Sequence, residues 1–477
     1  MIPKKYIKTV LTAICLLFGN LAIVSSQNSN TLYYMDNLPQ SGYLNPAKQT
    51  GCGFYFGLPA LSSIYLNVDN NSLNFNDIIY RGTGEYSDSL ITFLHPSQDV
   101  DDFLDKLKNK NIIATEFQAN LLSFGLRVKS MYFSFGVYEK ANFQASFPGD
   151  MAALLLKGNR DFLGKTADLS GFGASATWYR EYSLGTSVKL LDNLTVGARG
   201  KLLFGKLNLS TNDVDMGIFT SQTGDLIRFH SSMTINTSIA ESEIKRDSVG
   251  NFDGLEFKED MDPVNLFLNT GNAGFALDLG AIMDITDKLT VTGSIIDFGF
   301  IKWKEGVFNL TQDGEFEFSG IDVSTGGTEE DATEKLLDEI DSTLTNITDR
   351  SETYTTGLGT KIYIGGTYKL NDNISFGILS RSGIYRKSFR QAITLSANAY
   401  VLNSISASLS YSMMNGSFAN IGFGLGLRGG PFQFYLVSDN VSGMLLPHKT
   451  QSLNLRFGMN FMFGCRNKTN EDSLSAL

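Results

Sequence analysis

Proline, histidine and cysteine are scarce in this chain, which has 9 prolines, 3 histidines and 3 cysteines among its 477 residues. His95, His230 and His448 lie far apart in predicted loop regions and form no metal-binding pattern. No nucleophile elbow or phosphate-binding loop is visible, and the glycine-rich run at 424–429 lies inside an alternating segment instead of opening a helix. The sequence therefore predicts a protein that is not an enzyme and that holds no metal or cofactor.

Charge and long apolar runs are also limited. Charged residues are 18% of the chain, and the formal net charge of −10 argues against nucleic acid as a partner. Three lysines precede an apolar run at 10–24 and then small residues, which predicts a secretory signal peptide at 1–26. After it, no stretch reaches the roughly 18 to 20 apolar residues that a membrane helix needs. The exported chain is therefore periplasmic, secreted or an outer-membrane barrel.

Phenylalanine, tyrosine and glycine are abundant, with 35, 19 and 47 residues, as is typical of long strands in a barrel. The segment 453–463 has an apolar residue at every odd position, so one face of a strand would be apolar. Within it, Gly458, Phe461 and Phe463 form a pattern that resembles the assembly signal on the last strand of bacterial barrels. For this segment alone, an edge strand of a soluble sandwich is the alternative.

Short polar breaks recur between alternating segments. They lie at 129–130, 191–193, 286–288, 371–373, 403–404 and 429–431. Each break is typical of a tight hairpin, so these six predict twelve strands. Strands at about 53–68 and at 451–464 raise the number to fourteen, an even number as in bacterial single-chain barrels. The opposite connections are longer, at about 68–111, 148–167, 211–271 and 304–352, which places the short turns in the periplasm.

The alternation of side chains indicates a bilayer around the strands. In 275–285 and 405–413 the odd positions are apolar and carry no charge. A lysine or arginine facing the bilayer midplane costs about 2–4 kcal/mol, so this absence favours lipid contact. The alternation slips near Leu121 and Leu122, which predicts a bulge or kink. The predicted fold is an all-β, membrane-spanning antiparallel barrel of about fourteen strands in the outer membrane, with lipid and the assembly machinery as partners.

The predicted inward face is small. Gly422, Gly424 and Gly426 lie on one strand and a ladder of serines at 404–412 lies on a neighbouring strand. Fourteen strands enclose more room than such side chains fill. Water, a plug or a ligand must therefore occupy the lumen.

Several basic residues fall on predicted inward positions. Arg199, Lys201 and Arg428 are the lumen candidates, together with Lys361, Lys369 and Arg381. A basic lumen could attract anions or fatty-acid carboxylates. The preferred interpretation is that these cations are solvated or paired with inward Asp278 and Asp284.

A proline-containing segment precedes the first strand. Residues 38–47 read Leu-Pro-Gln-Ser-Gly-Tyr-Leu-Asn-Pro-Ala, followed by Gly51-Cys52-Gly53. This segment resembles an uncharacterised family of Bacteroidota outer-membrane barrels, itself similar to FadL fatty-acid transporters and to PorV of the type IX secretion system. The resemblance implies an N-terminal hatch, with Asn45, Pro46 and Ala47 inside the periplasmic half of the lumen. The alternative is that this motif caps a turn at the entrance of the barrel.

Two cysteines remain after the signal peptide. Cys52 starts the first strand and Cys465 ends the last one, so in a closed barrel both lie on neighbouring strands at the periplasmic side. A disulfide needs Cα atoms within about 4.4 to 6.8 Å and an oxidising compartment such as the periplasm. Cys52 and Cys465 are a candidate disulfide, and two adjacent free thiols are the alternative.

Two loop segments, 99–108 and 329–347, carry an apolar stripe and a charged opposite face, as amphipathic helices do. They could cap the extracellular mouth or bind a partner, although packing on the protein's own loops is preferred.

The predicted organisation has four parts: a signal peptide at 1–26, a plug at 27–52, a barrel at 53–465 and a polar periplasmic tail at 466–477. The first functional hypothesis is a FadL-like barrel that passes or binds a small hydrophobic solute. The second is a PorV-like barrel that transports nothing and docks secreted or surface proteins, with a secretion-system partner.

Overall fold

A computed structural model of the chain describes residues 29–246, 248, 252–259, 262–319, 347–385, 388–401, 404–414, 417–446, 448 and 450–465. The predicted signal peptide, the predicted tail at 466–477 and all but the last residue of the predicted helix at 329–347 lie outside these residues. Among the residues described, no helix has the length and apolar character needed to cross a bilayer.

The chain forms a closed antiparallel barrel of 14 strands, as predicted. In chain order the barrel strands are β1 (Cys52–Gly57 and Ile64–Asn70), β2 (Lys110–Val128), β3 (Met131–Pro148), β4 (Gly173–Leu191), β5 (Leu194–Thr220), β6 (Asn272–Asp284), β7 (Leu289–Trp303), β8 (Tyr354–Gly357 and Thr360–Lys369), β9 (Ile374–Tyr385), β10 (Ser388–Val401), β11 (Ile405–Met414), β12 (Ser417–Gly429), β13 (Phe432–Ser438) and β14 (Ser452–Cys465). Strand β1 pairs with both β2 and β14, so the wall closes on itself and leaves no free edge.

The short turns lie at the predicted positions, and polar side chains explain why the same residue types recur there. In the turn after β8, Asn371 Oδ1 accepts hydrogen bonds from the backbone N–H groups of Asn373 and Ile374, at 2.9 and 2.8 Å. In the turn after β6, Thr286 Oγ1 accepts from the N–H of Leu289 at 3.0 Å. A side-chain acceptor of this kind closes a tight turn locally, before any strand has paired.

Strand β1 differs from the prediction, which treated it as continuous. Gly57 pairs with Asn460 of β14 and Ile64 pairs with Phe457, so residues 58–63 loop out of the ladder. Pro59 lies in this loop and lacks the N–H that a continuous ladder requires. Apolar and polar residues alternate both before and after the loop. The sequence pattern therefore does not reveal the interruption. The predicted irregularity of β2 is confirmed as a shift in register between Asn120 and Leu122.

The long connections, which the sequence predicts to be extracellular, build further structure above the barrel. Strand β5 runs to Thr220, beyond the predicted start of its loop near residue 211, and its upper part pairs with a loop strand at Ile227–Ile239. The other loop strands are Ile79–Arg81, Leu90–Thr92, Lys165–Asp168, Ser242–Arg246, Phe252–Phe257, Val307–Phe318 and Ile347–Arg350. Much of the extracellular region is therefore an extension of the barrel sheet.

Helices in the described residues are short. The 3-10 helices are Thr31–Tyr34, Pro39–Tyr43, Phe75–Asp77, Gly84–Tyr86 and Arg160–Phe162, and the α-helices are Val100–Leu104, Gly149–Lys157, Pro263–Leu268 and Val441–Leu445. The predicted helix at 99–108 is thus shorter than expected, with the Asp99 side chain accepting from the backbone of Asp101 at its start. Helix Val441–Leu445 contacts β12 and β14 above the end of β13.

Large apolar side chains cover the outside of the wall. Leu184 is 67% exposed, and the outward residues Phe133, Leu202, Phe298, Ile364, Ile378, Leu409 and Phe463 are exposed as well. The inward residues of the same strands are mostly small or polar. An apolar exterior around a polar interior is the reverse of a soluble protein and fits a wall surrounded by lipid.

Candidate functional site

Residues 29–51, here called the hatch, lie inside the half of the barrel where the short turns are. Leu32, Tyr33 and Leu38 are almost completely buried and pack with Tyr363 and Tyr435 of the wall. The two 3-10 helices of the hatch keep its backbone compact, and Pro39 begins the second one. The hatch is therefore an apolar core enclosed by the barrel.

Small residues in the wall make room for the hatch. A methyl group on Gly197 would lie 2.3 Å from the carbonyl oxygen of Pro46, and one on Gly280 would lie 2.1 Å from Asn45 Oδ1. Ser410 of the predicted serine ladder contacts Thr31 at 2.7 Å between the hydroxyl oxygens. The unusually small inward face noted in the sequence thus matches a plug, one of the three occupants that the sequence left open.

The Asn45-Pro46-Ala47 motif lies in the lumen and contacts both the hatch and the wall. Asn45 is completely buried, and its amide donates to the carbonyl oxygens of Ala281 and Gly293, both at 3.4 Å. Its Oδ1 accepts from the N–H of Ala47 at 2.9 Å. The motif therefore turns the chain and also contacts the wall, which combines the two alternatives considered from sequence.

Polar contacts tie other parts of the hatch to the wall. Asp439, just after β13, accepts from the N–H and the hydroxyl of Thr31, at 2.7 and 2.6 Å. Asn120 donates to the hydroxyl oxygen of Tyr43 at 2.7 Å. Burial raises the pKa of the Tyr43 phenol above its ordinary value. The hatch is held at several separate points around the barrel.

A network of buried charges lies directly above the hatch and includes three of the residues predicted to face inward, Arg199, Lys201 and Lys361. Arg199 Nη1 is 3.2 Å from Asp278 Oδ2, and Arg199 Nη2 donates to the carbonyl oxygen of Gly42 in the hatch at 2.6 Å. Lys201 Nζ is 2.8 Å from Asp278 and 2.6 Å from Asp297. These cations are paired, as the preferred interpretation expected for Asp278. Asp284 instead lies exposed, where it accepts from Thr290 at 2.5 Å.

Three further residues belong to this network: Lys361, which the sequence predicted to face inward, and Lys140 and Glu181, which it did not single out. Lys140 Nζ is 2.6 Å from Glu181, and Lys361 Nζ is 3.1 Å from Asp297. Lys140 and Glu181 both fall on inward positions of β3 and β4, so strand parity could have placed them in the lumen. Asp297 could not be placed this way, because it has a φ of 60° at an irregularity in β7.

Above the charges lies a cavity of about 790 Å³, here called the vestibule. Its wall carries amide side chains from β1, β2, β3, β5 and a loop strand, namely Asn67, Gln118, Asn142, Gln144, Asn208, Asn212 and Asn236. Glu116, Lys140 and Lys361 line both the vestibule and a second cavity of about 60 Å³ beside the hatch. A solute in the vestibule would therefore meet polar groups and the hatch would lie below it.

The other predicted site residues lie near the periplasmic rim. Arg428 does not join the buried charge network, and its Nη1 is 3.9 Å from Cys52 Sγ. Cys52 is directly opposite Cys465 in the register of β1 and β14, with the sulfur atoms 2.01 Å apart. Both cysteines lie at the closing seam of the barrel, where the candidate disulfide would join β1 to β14.

The three residues of the predicted assembly signal lie on β14. Gly458 faces inward, where an added methyl group would lie 2.1 Å from the carbonyl oxygen of Ser62. Phe461 and Phe463 face outward, and their rings contact Phe432 and Phe54 with centroids 4.9 and 6.2 Å apart. In the part of the chain that the structure describes, no group of histidine, cysteine or acidic side chains is arranged to hold a metal ion.

Among solved structures, several outer-membrane proteins are similar to this chain at low identity. A Pseudomonas aeruginosa FadL homologue is 10% identical over 93% of this chain and 100% of its own, with a TM-score of 0.43. The Ralstonia pickettii toluene transporter TbuX is 10% identical over 90% and 94%, with a TM-score of 0.40. The translocator domain of the autotransporter NalP from Neisseria meningitidis is 7% identical over 91% and 96%, with a TM-score of 0.34. Similarity this low carries no argument about function.

No curated protein matches the sequence. Residues 46–439, most of the barrel, match the family of unknown function DUF5723. The matched segment begins within the hatch and ends just after β13. The chain belongs to this family.

Proposed function

We propose that the protein is an outer-membrane barrel that binds a small solute in the vestibule and passes it to the periplasm when the hatch rearranges. The observation that carries this proposal is the cavity of about 790 Å³ that lies in the lumen above the hatch. Its volume falls within the roughly 300–1,000 Å³ of small-molecule sites. A barrel with a purely structural role would have no need of such a cavity.

The outer-membrane location rests on the wall. Outward residues such as Leu184, Phe298 and Ile364 are large, apolar and exposed, whereas the charges cluster in the lumen. Only a closed barrel or a helix can satisfy its backbone in lipid, and this chain forms a closed barrel. The pattern on β14 supports insertion by the assembly machinery, and the predicted signal peptide supports export.

Passage requires the hatch to move, because it fills the barrel below the charges. Besides its buried apolar side chains, the hatch is held by separate polar contacts, such as the bonds of Thr31 to Asp439 and of Arg199 to Gly42. Each such bond contributes only about 0.5–1.5 kcal/mol net, or somewhat more where a charge takes part. A solute that contacts the charged floor of the vestibule could therefore shift the position of the hatch.

The class of solute was expected from sequence to be hydrophobic, because of the resemblance to FadL transporters. The lining of the vestibule is instead rich in amide groups, which a hydrophobic solute would leave without partners. A hydrophobic solute remains the alternative for the same site.

The second candidate is a PorV-like scaffold that docks proteins at the cell surface. One observation favours it: large apolar residues stand exposed on the extracellular loops, with Leu155 77%, Leu90 74% and Leu94 61% exposed. Exposed leucines of this kind often mark a contact with another protein.

Native purification from outer membranes separates the two candidates. The purified protein is analysed by mass spectrometry for small molecules and for proteins, with a second barrel from the same membranes as the control. A small molecule enriched over the control, without a protein partner, supports solute binding. A stoichiometric protein partner without an enriched small molecule decides for the scaffold.

A further inference from the structure

From the lining of the vestibule we infer that its solute is uncharged and rich in hydroxyl groups, as saccharides are. This inference rests on the proposed function and names the class of solute for that site. Seven amide side chains from four barrel strands and one loop strand converge on the cavity. Planar amides both donate and accept hydrogen bonds, so they match hydroxyl groups, which also do both.

Buried polar atoms beside the cavity need partners. Asn67 and Glu116 are only 2% and 4% exposed, and both line the vestibule. Among the residues that the structure describes, Asn67 Oδ1 and Glu116 Oε2 have no hydrogen-bond partner. Arg456 lines the smaller cavity, and its Nε is a buried donor that likewise has no hydrogen-bond partner among the described residues. These three atoms are shielded from both cavities as the side chains stand, so a solute hydroxyl group reaches them only after the side chains turn.

Two lysines at the floor of the vestibule are already paired with carboxylates. Lys361 is 3.1 Å from Asp297, and Lys140 is 2.6 Å from Glu181. A solute therefore has no need to bring a charge, and an anion would have to compete with carboxylates already in place. This arrangement favours an uncharged solute over a fatty-acid carboxylate.

An aromatic ring lies in the same wall. Tyr354 lines the vestibule, and its hydroxyl donates to Asn208 Oδ1 at 2.9 Å. Its ring stacks at 6.4 Å on Trp303, whose Nε1 donates to Thr356 of the vestibule wall at 2.8 Å. The apolar C–H face of a sugar ring can pack on such a tyrosine while its hydroxyl groups reach the amides.

The same contacts supply a reporter for binding. The chain has two tryptophans, and the other one, Trp178, bonds to Glu139. In a Trp178→Phe variant, Trp303 is the remaining tryptophan. Its fluorescence is measured in the full detergent-purified chain while maltotriose, cellotriose, chitotriose, octanoate or toluene is titrated. We expect a saturable change with at least one trisaccharide and none with octanoate or toluene.

Variants of the lining test whether the amides make the contact. In the Trp178→Phe background, Gln144→Leu combined with Thr177→Val should weaken trisaccharide binding about tenfold, because two hydrogen bonds are lost. Asn193→Leu, in an exposed periplasmic turn, is the matched control and should bind normally. If the double variant does not fold, each single variant is measured instead. Normal binding by the folded variants would overturn the inference.

The remaining outcomes separate the inference from the proposed function. Saturable binding of octanoate or toluene without binding of any trisaccharide overturns the saccharide class and leaves solute transport standing. If no probe binds, the inference is overturned. If, in addition, no small molecule co-purifies with the native protein, the proposed function fails as well.

Discussion

The half of the lumen at the short turns is filled by the hatch, whereas the half at the long loops holds a cavity of about 790 Å³. The same strands form the wall of both halves. Below, the wall presents glycine and serine, as at Gly197, Gly280 and Ser410, and the space goes to the apolar hatch. Above, it presents amides such as Asn67 and Gln144. The size and polarity of inward side chains, at constant strand number, thus decide whether a barrel is closed or open.

The boundary between the halves is the buried charge network around Lys201 and Asp297. Charges placed there are shielded from lipid by the wall and from the periplasm by the hatch. The network gives the hatch a polar upper surface and the vestibule a polar floor.

The largest effect is expected from a change that prevents the barrel from assembling, since both halves of the lumen are then lost. Replacing Phe461 and Phe463 with Asp should abolish assembly of the barrel while leaving export intact, because carboxylates would face lipid beside β1. The measurement is the amount of the chain in outer-membrane and periplasmic fractions. The control replaces both residues with Leu, which keeps the outward face apolar. Stable outer-membrane insertion of the Asp variant would contradict the prediction.

The second-largest effect is expected at the buried charge network between the two halves of the lumen. Lys201→Met should lower the free energy of unfolding by about 3–5 kcal/mol, because Asp278 and Asp297 lose a buried partner. Urea unfolding of the refolded barrel in lipid measures it. Lys369→Met, at an exposed turn, is the control and should change this free energy by less than about 0.5 kcal/mol. Equal effects for the two variants would show that the network does not stabilise the barrel.

A change at the rim of the closed half comes third. If Cys52 and Cys465 are bonded in the cell, Cys52→Ser should lower the free energy of unfolding by about 2–4 kcal/mol. Reduced wild-type protein should behave like the variant. Mass spectrometry of the unreduced protein tests the premise, and finding both thiols free would refute it.

The smallest effect should be confined to the closed half. Gly197→Ala should push on the carbonyl of Pro46, unseat the hatch and lower the free energy of unfolding by about 1–3 kcal/mol. Conductance in planar bilayers should rise at the same time. Gly200→Ala is the matched control, since an added methyl group there meets no atom within 4 Å. Unchanged conductance in Gly197→Ala would argue that the hatch does not close the lumen.

Much of the wall could be predicted from sequence because its signals are local. The side chains of turn residues such as Asn371 and Thr286 accept hydrogen bonds from backbone N–H groups two or three residues away. A few neighbouring residues therefore specify each hairpin. The period of two in each strand likewise needs no knowledge of the partner strand. The interruption of β1 could not be predicted, because apolar and polar residues alternate both before and after it.

The site was less predictable because it depends on residues that are distant in sequence. Parity placed Arg199 and Lys201 in the lumen and could have added Lys140 and Glu181, but it gave no basis for pairing Lys201 with Asp297, 96 residues later. Parity also placed Arg428 inward without showing that it lies at the rim.

By itself, then, the sequence determined the class of fold, the number of strands and the side with long loops, because periodicity and turn chemistry act over a few residues. The tertiary structure decided what fills the lumen and where it is left open. Those outcomes depend on closure of the barrel, which brings Thr31 to Asp439 and Asn45 to Gly280 across long stretches of chain. Such contacts follow from the register of the whole wall, and no local pattern specifies them.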